Sequence, residues 1–240
     1  MAKRVRYQKD INQYETFIKP LHLKNSTQEY YIDTIKESTV TFCTGPAGTG
    51  KTYLATYVAL EALLNNEVDK IVLTRPLVAT EDIGYLPGDM NEKIAPYLMP
   101  LFDAIECHIG VTRSAQLVAD KRIEILPLAY MRGRSLNKSF MILDEGQNTT
   151  KEQMKMFLTR IGYDSKIVVT GDTAQSDLPN GQENGMAWAA DRLRSSTGEI
   201  GMIEFTVKHI VRNPLIEKIL QYLDGPGTSP AADSRRRNHE

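Results

Sequence analysis

Two cysteines and four histidines are the whole stock, in 240 residues, of the side chains that most often staple or metallate small folds, and there is a single tryptophan. Cys43 and Cys107 cannot build a disulfide framework, and no cluster of cysteine and histidine has zinc-site spacing. A reducing, cytoplasmic setting is therefore expected. No apolar run approaches the roughly 18 residues that cross a bilayer, so no membrane partner is expected. The basic start MAKRVRYQKDINQYETF runs into polar residues where a signal peptide needs an apolar core, and it does not read as one. An excess of one charge is also missing: 29 Lys and Arg face 30 Asp and Glu, a net charge of -1. Any polyanion must then be gripped by a local basic patch.

What remains is a globular composition, 41% hydrophobic and 25% charged, which excludes wholesale disorder and fibrous repeats. Short β-branched runs alternate with longer helical patterns, and this predicts an α/β fold with a mostly parallel sheet sandwiched by helices in a single domain. Strands are expected at Thr39–Thr44, Lys70–Thr74, Arg122–Leu126, Ser139–Leu143, Lys166–Thr170 and Gly201–Phe205. Several are continuously apolar, as strands covered on both faces should be. Helices are expected at Lys51–Leu64, Glu92–Ile105, Lys151–Ile161, Asn184–Arg194 and Pro214–Leu223. Residues 1–24 read as an N-terminal extension and 25–223 as the domain. Residues 224–240, rich in Gly, Pro, Ser and charge, read as a disordered tail, with Arg235–Arg237 a solvated run.

Gly45-Pro46-Ala47-Gly48-Thr49-Gly50-Lys51-Thr52 matches G-x-x-x-x-G-K-[ST] between a strand and a helix. Glycines let successive N–H groups curl toward phosphate oxygens, and the helix N-terminus adds its positive end. Lys51 would reach the β and γ phosphates, and Thr52 would offer its hydroxyl to a magnesium ion. The strand FMIL ends in Asp144 and Glu145, at the carboxyl edge where open α/β sheets bind ligands. Asp144 is the expected metal-holding carboxylate, and Glu145 the general base for water. A third strand breaks at Gly171 and presents Gln175, a neutral amide suited to sensing the γ-phosphate.

Together GPAGTGKT, ILDEGQN and VVTGDTAQSDLP resemble three motifs of superfamily 1 helicases. The stretch from Thr74 through Ile105, with PLAYMRGRSLN and IVRNPLI, narrows the resemblance to the PhoH family, and it runs from about Asn25 to Leu223. The resemblance implies a RecA-like P-loop ATPase core that uses ATP and Mg2+. It also implies assembly as a homo-oligomer, a hexameric ring, and action on single-stranded RNA or DNA as a helicase or translocase. The small size resembles bacteriophage versions, which would place the protein in the host cytoplasm. By the same resemblance Gln28 reads adenine, Tyr53 completes the nucleotide-binding set, and Arg75 contacts the single strand, with Lys93 and the loop Val78–Asp89 along the same groove.

A helicase of that superfamily carries its arginine fingers on a second RecA-like domain. A chain of 240 residues has no room for one, so a finger is expected from a neighbouring subunit. Arg132 and Arg212 are the candidates, with Arg134 behind them. His209 stands where the family pattern has Asp, and Asn213 where it has His, which bears on the pairing around Arg212. Gly146 replaces the usual Ala. The competing reading is a nucleotide-dependent scaffold that regulates a partner protein such as a nuclease. A small-molecule kinase is disfavoured, because Glu145 and Gln175 are arranged for water.

Overall fold

The six apolar runs form six strands: β1 (Val40–Thr44), β2 (Lys70–Arg75), β3 (Ile123–Pro127), β4 (Ser139–Leu143), β5 (Lys166–Gly171) and β6 (Ile200–Glu204). This computed structural model describes residues 18–77, 90–179, 181–196, 198–211 and 215. The strands lie in the order β3-β2-β4-β5-β1-β6, and every pairing between them is parallel.

Period-two alternation explains why the central strands carry apolar residues on both faces. Ile71 and Leu73 join a core with Tyr31, Leu54, Leu101 and Ile105, whereas Val72 between them joins Met154, Phe157 and Met186 on the other face. The first layer is made by α1 (Ser26–Glu37), α2 (Lys51–Leu64) and α3 (Met90–Ile109), followed by α4 (Val111–Ala119). The second is made by α5 (Lys151–Leu158) and α6 (Gly185–Leu193). This is the α/β P-loop NTPase fold that the motifs predict.

Where element ends differ from expectation, hydrogen bonding decides. β1 and β3 start one residue late, β6 starts one early, and β2 and β5 each run one residue further. α5 stops at Leu158, short of Ile161, because Ile161 bridges to Leu136. Asn184 is the cap of α6, not its first residue, and accepts from the Ala187 N–H. α3 outruns its expected bounds at both ends despite Pro96 and Pro100. α1 and α4 were not expected. α1 is held at its start by Asn25, which accepts from the Gln28 N–H, and at its end by Lys166, whose ammonium donates to the carbonyls of Ile35, Lys36 and Ser38. Apart from Leu215, the expected helix Pro214–Leu223 lies outside the described residues, as do the loop Val78–Asp89 and the tail.

The register brings the working ends together. Thr44 pairs with Gly171 and Thr74 with Leu143, so the ends of β1, β5, β4 and β2 meet along one edge of the sheet.

Candidate active site

The chain leaves β1 through Gly45, Gly48 and Gly50, all at positive φ, and enters α2 at Lys51. Gly45 is required by space as well as by backbone angle, since a Cβ there would lie 2.4 Å from the Phe205 carbonyl oxygen. Thr49 is buried and donates to the Pro46 carbonyl at 3.0 Å, which pins the loop. The Lys51 ammonium donates to the carbonyls of Gly45 at 2.7 Å and Pro46 at 2.9 Å, so its charge is held over the loop.

Asp144 ties three elements together. Its Oδ1 accepts from Thr52 Oγ1 at 2.6 Å and from Thr170 Oγ1 at 2.8 Å, and its side chain is buried. One hydroxyl and one carboxylate suit Mg2+, which takes few protein oxygens and completes its octahedron with water and phosphate. Among the described residues no cluster of three or more His, Cys, Asp or Glu could hold a metal by itself.

Glu145 stands in the left-handed region, φ 53 and ψ 40, which sets its side chain off the path of the strand. Its Oε1 meets the Arg75 guanidinium at 3.3 Å, and its Oε2 accepts from the Gln147 amide at 2.5 Å. Lys51, Thr52, Asp144, Glu145, Gln147 and Gln175 share a cavity of about 330 Å³ with the loop glycines.

A second cavity, of about 440 Å³, adjoins the first across Gly48, Gly50 and Tyr53, and Gln28 and Val211 also line it. The Gln28 amide is fixed by backbone: Oε1 accepts from the Lys24 N–H at 2.8 Å, and Nε2 donates to the Thr49 carbonyl at 3.0 Å. One N–H and one lone pair remain, the pair that the N7 and N6 edge of adenine requires. The strap from Phe205 to Val211 closes this side. His209 Nδ1 accepts from the Thr206 N–H at 3.0 Å, its Nε2 lies 3.3 Å from Thr27 Oγ1, and the Val211 N–H donates to the Gly48 carbonyl at 2.8 Å.

Behind Tyr53 lies His108, stacked on it at 4.1 Å between ring centres. The His108 Nε2 faces the Tyr53 carbonyl at 2.9 Å and must carry the proton, since a carbonyl can only accept. Burial pushes the His108 pKa below its ordinary value, against the opposing effect of that bond. Burial also pushes the Cys43 thiol up to about 12, which removes it as a nucleophile at neutral pH.

The arginines divide. Arg75 ends β2 and holds Glu145. Arg134 is engaged within the chain, 2.7 Å from Glu124, which Lys70 also meets. Burial raises the Glu124 pKa, but the two cations outweigh it and hold the carboxyl below the usual range. Arg132 is exposed in the turn after β3, one of the two edge strands. β3 lies four strand steps from β1, and Arg132 is not among the residues that line the phosphate-loop cavity. Arg212 and the Lys93 side chain lie outside the described residues.

Sequence reasoning missed Thr170, Gln147 and Asn148. Gln147 Oε1 accepts from the Asp172 N–H at 3.0 Å, and Asn148 exchanges two hydrogen bonds with Asp177. Both staple the segment carrying Gln175 to the end of β4. The signal was two amides directly after the acidic pair and its glycine.

The sequence model of the family described as PhoH-like protein matches residues 20–224. The chain belongs to the PhoH-like family. It is 49% identical to the PhoH-like protein of Bacillus subtilis over 207 residues, which are 86% of this chain and 65% of that one. It is 40% identical to Protein PhoH of Escherichia coli K12 over 204 residues, 84% of this chain and 57% of that one. The chain thus spans about three fifths of the length of these relatives. Among solved structures it is similar to the Pif1 helicase of Candida albicans, at 13% identity and TM-score 0.42, covering 84% of this chain and 44% of that one. The UvsW helicase of bacteriophage T4 matches at 12% identity and TM-score 0.46, covering 76% and 59%. Among the described residues no helix is long and apolar enough to cross a membrane.

Proposed function

We propose that this chain hydrolyses ATP as one subunit of a homo-oligomeric ring, a hexamer, acting on single-stranded nucleic acid, RNA before DNA. The observation that carries the reading is the meeting of Lys51, Thr52, Asp144, Glu145 and Gln175 around one cavity, with Gln28 and Tyr53 in the cavity beside it.

In this reading the second cavity takes adenine against the free edge of Gln28, and the residues from Gly45 to Thr52 wrap the phosphates. Lys51 exchanges the Gly45 and Pro46 carbonyls for the β and γ phosphate oxygens. Thr52 and Asp144 would hold a hydrated Mg2+, whose charge would offset that of the phosphates. Glu145 takes the proton of the attacking water, and Gln175 senses the γ-phosphate. Arg132 reaches the phosphates of the next subunit, because it is exposed and absent from the lining of its own cavity, and its guanidinium forks onto oxygen. Arg212 remains a finger candidate from its motif.

The test is ATP turnover with and without single-stranded RNA and DNA, together with particle mass in the presence of ATP. Turnover should rise with a single strand, and the mass should be about six times that of the subunit. Glu145→Gln should keep ATP affinity and lose about 10²- to 10⁴-fold in turnover. Absence of stimulation by either polymer would remove the nucleic-acid part, and full turnover in Glu145→Gln would remove Glu145 as the base.

A further inference from the structure

We propose that Arg75 restrains the Glu145 carboxylate, and that a backbone phosphate of the bound single strand draws Arg75 away and frees that carboxylate to activate water. The proposal rests on the reading just given, of Glu145 as base and of action on a single strand, and adds Arg75 as the link between them.

Glu145 lines the 330 Å³ cavity, yet both of its carboxylate oxygens are engaged by other side chains. A general base must turn a lone pair to water within hydrogen-bond reach. The two partners differ in kind. Gln147 is buried and anchored at its far end by the Asp172 N–H, so it is part of the frame. Arg75 is not among the residues lining the cavity, its side chain is 27% exposed, and its other contact is a 3.4 Å bond to the Tyr97 carbonyl. An ion pair at 3.3 Å with partly exposed partners contributes little net stability, whereas a guanidinium grips phosphate with two parallel bonds. A strand phosphate at the end of β2 therefore competes for Arg75 on favourable terms.

The geometry makes this one switch serving two ligands. Thr74 pairs with Leu143, so Arg75 and Glu145 leave adjacent strands at the same edge. The left-handed backbone at Glu145 keeps its side chain beside that neighbour. A strand that binds the released form better shifts the population toward it. By linkage, neutralising Glu145 also frees Arg75 for the strand.

The experiment compares steady-state ATPase of the wild type, Arg75→Gln and Arg75→Lys over a titration of 20-nucleotide oligouridylate. Arg75→Gln should show a basal kcat raised roughly fivefold or more, an unchanged KM for ATP, and little further stimulation, with Arg75→Lys in between. The second measurement is oligouridylate affinity without nucleotide, which should be severalfold tighter in Glu145→Gln than in the wild type. A wild type stimulated by RNA beside an Arg75→Gln basal kcat at or below wild type overturns the restraint and leaves the proposed function standing. A wild type that neither RNA nor DNA stimulates overturns the strand reading and the release step together. If Arg75→Gln does not fold, equal oligouridylate affinity in Glu145→Gln and wild type overturns the link.

Discussion

Thr52 and Asp144, on the first turn of α2 and at the end of β4, share a 2.6 Å hydrogen bond that also brings in Thr170 from β5. Asp144→Asn keeps the size of the side chain and removes its charge. Affinity for MgATP should fall about 10- to 100-fold, as when a supporting metal ligand is lost. Affinity for ATP in EDTA should change little. Fluorescent-nucleotide titration with and without Mg2+ checks both.

Gly171 sits so close to Gln147 that a Cβ there would be 2.4 Å from the amide oxygen. Gly171→Ala should push Gln147 from its place between Glu145 and Asp172 and leave the Asp172 N–H unpaired. A stability loss of about 1–3 kcal/mol is expected from that orphaned donor. ATP turnover should drop with little change in ATP affinity, and Gln147→Ala, which removes the amide without any clash at residue 171, should show the same pattern. Thermal unfolding and steady-state kinetics on the same samples are the measurements.

The sheet and its chemistry were legible in the sequence to different depths. Every strand was visible, because a run such as KIVLT must bury both faces and few other structures can. The placement of Lys51 and Thr52 at the start of a helix and of Asp144 and Glu145 just past a strand was legible from motif spacing. α1 was not, since its apolar face is three residues, Tyr31, Ile32 and Ile35, and its hold depends on Lys166 far along the chain. Nor could sequence place Arg75 against Glu145 or Arg134 against Glu124. Those pairings follow from which strands are neighbours and from a left-handed turn at a non-glycine residue.

Arg132 and Arg134 look alike in MRGRS but should behave differently. Arg134→Met breaks the contact with Glu124 and should lower stability while sparing turnover at moderate temperature. Arg132→Ala should lose roughly 10³-fold in turnover and keep ATP affinity, as expected of a finger. Mixing Arg132→Ala with Glu145→Gln subunits should restore part of the rate, since a mixed ring contains intact sites. No recovery on mixing, under conditions where subunits exchange, would argue that Arg132 does not act in trans.

His108 gives a pH signature. Burial lowers its folded pKa from 6.5, so the unfolded chain takes up the proton more readily. The stability it contributes is complete above about 6.5 and declines as pH falls from there toward the lower folded value. His108→Gln, which can still donate to the Tyr53 carbonyl, should flatten the melting temperature between pH 7 and 5. ATP affinity should follow the same curve in the wild type, because Tyr53 walls both cavities. Melting curves and nucleotide titrations across that range test it.

The bond from the Val211 N–H to the Gly48 carbonyl has a reach beyond the pocket it closes. Gly45 is wedged against Phe205 at one end of the same strap, so the strap is moored to the phosphate loop at both of its ends. The phosphate loop therefore cannot change its shape at Gly48 without moving the Val211 backbone with it or breaking the bond between them.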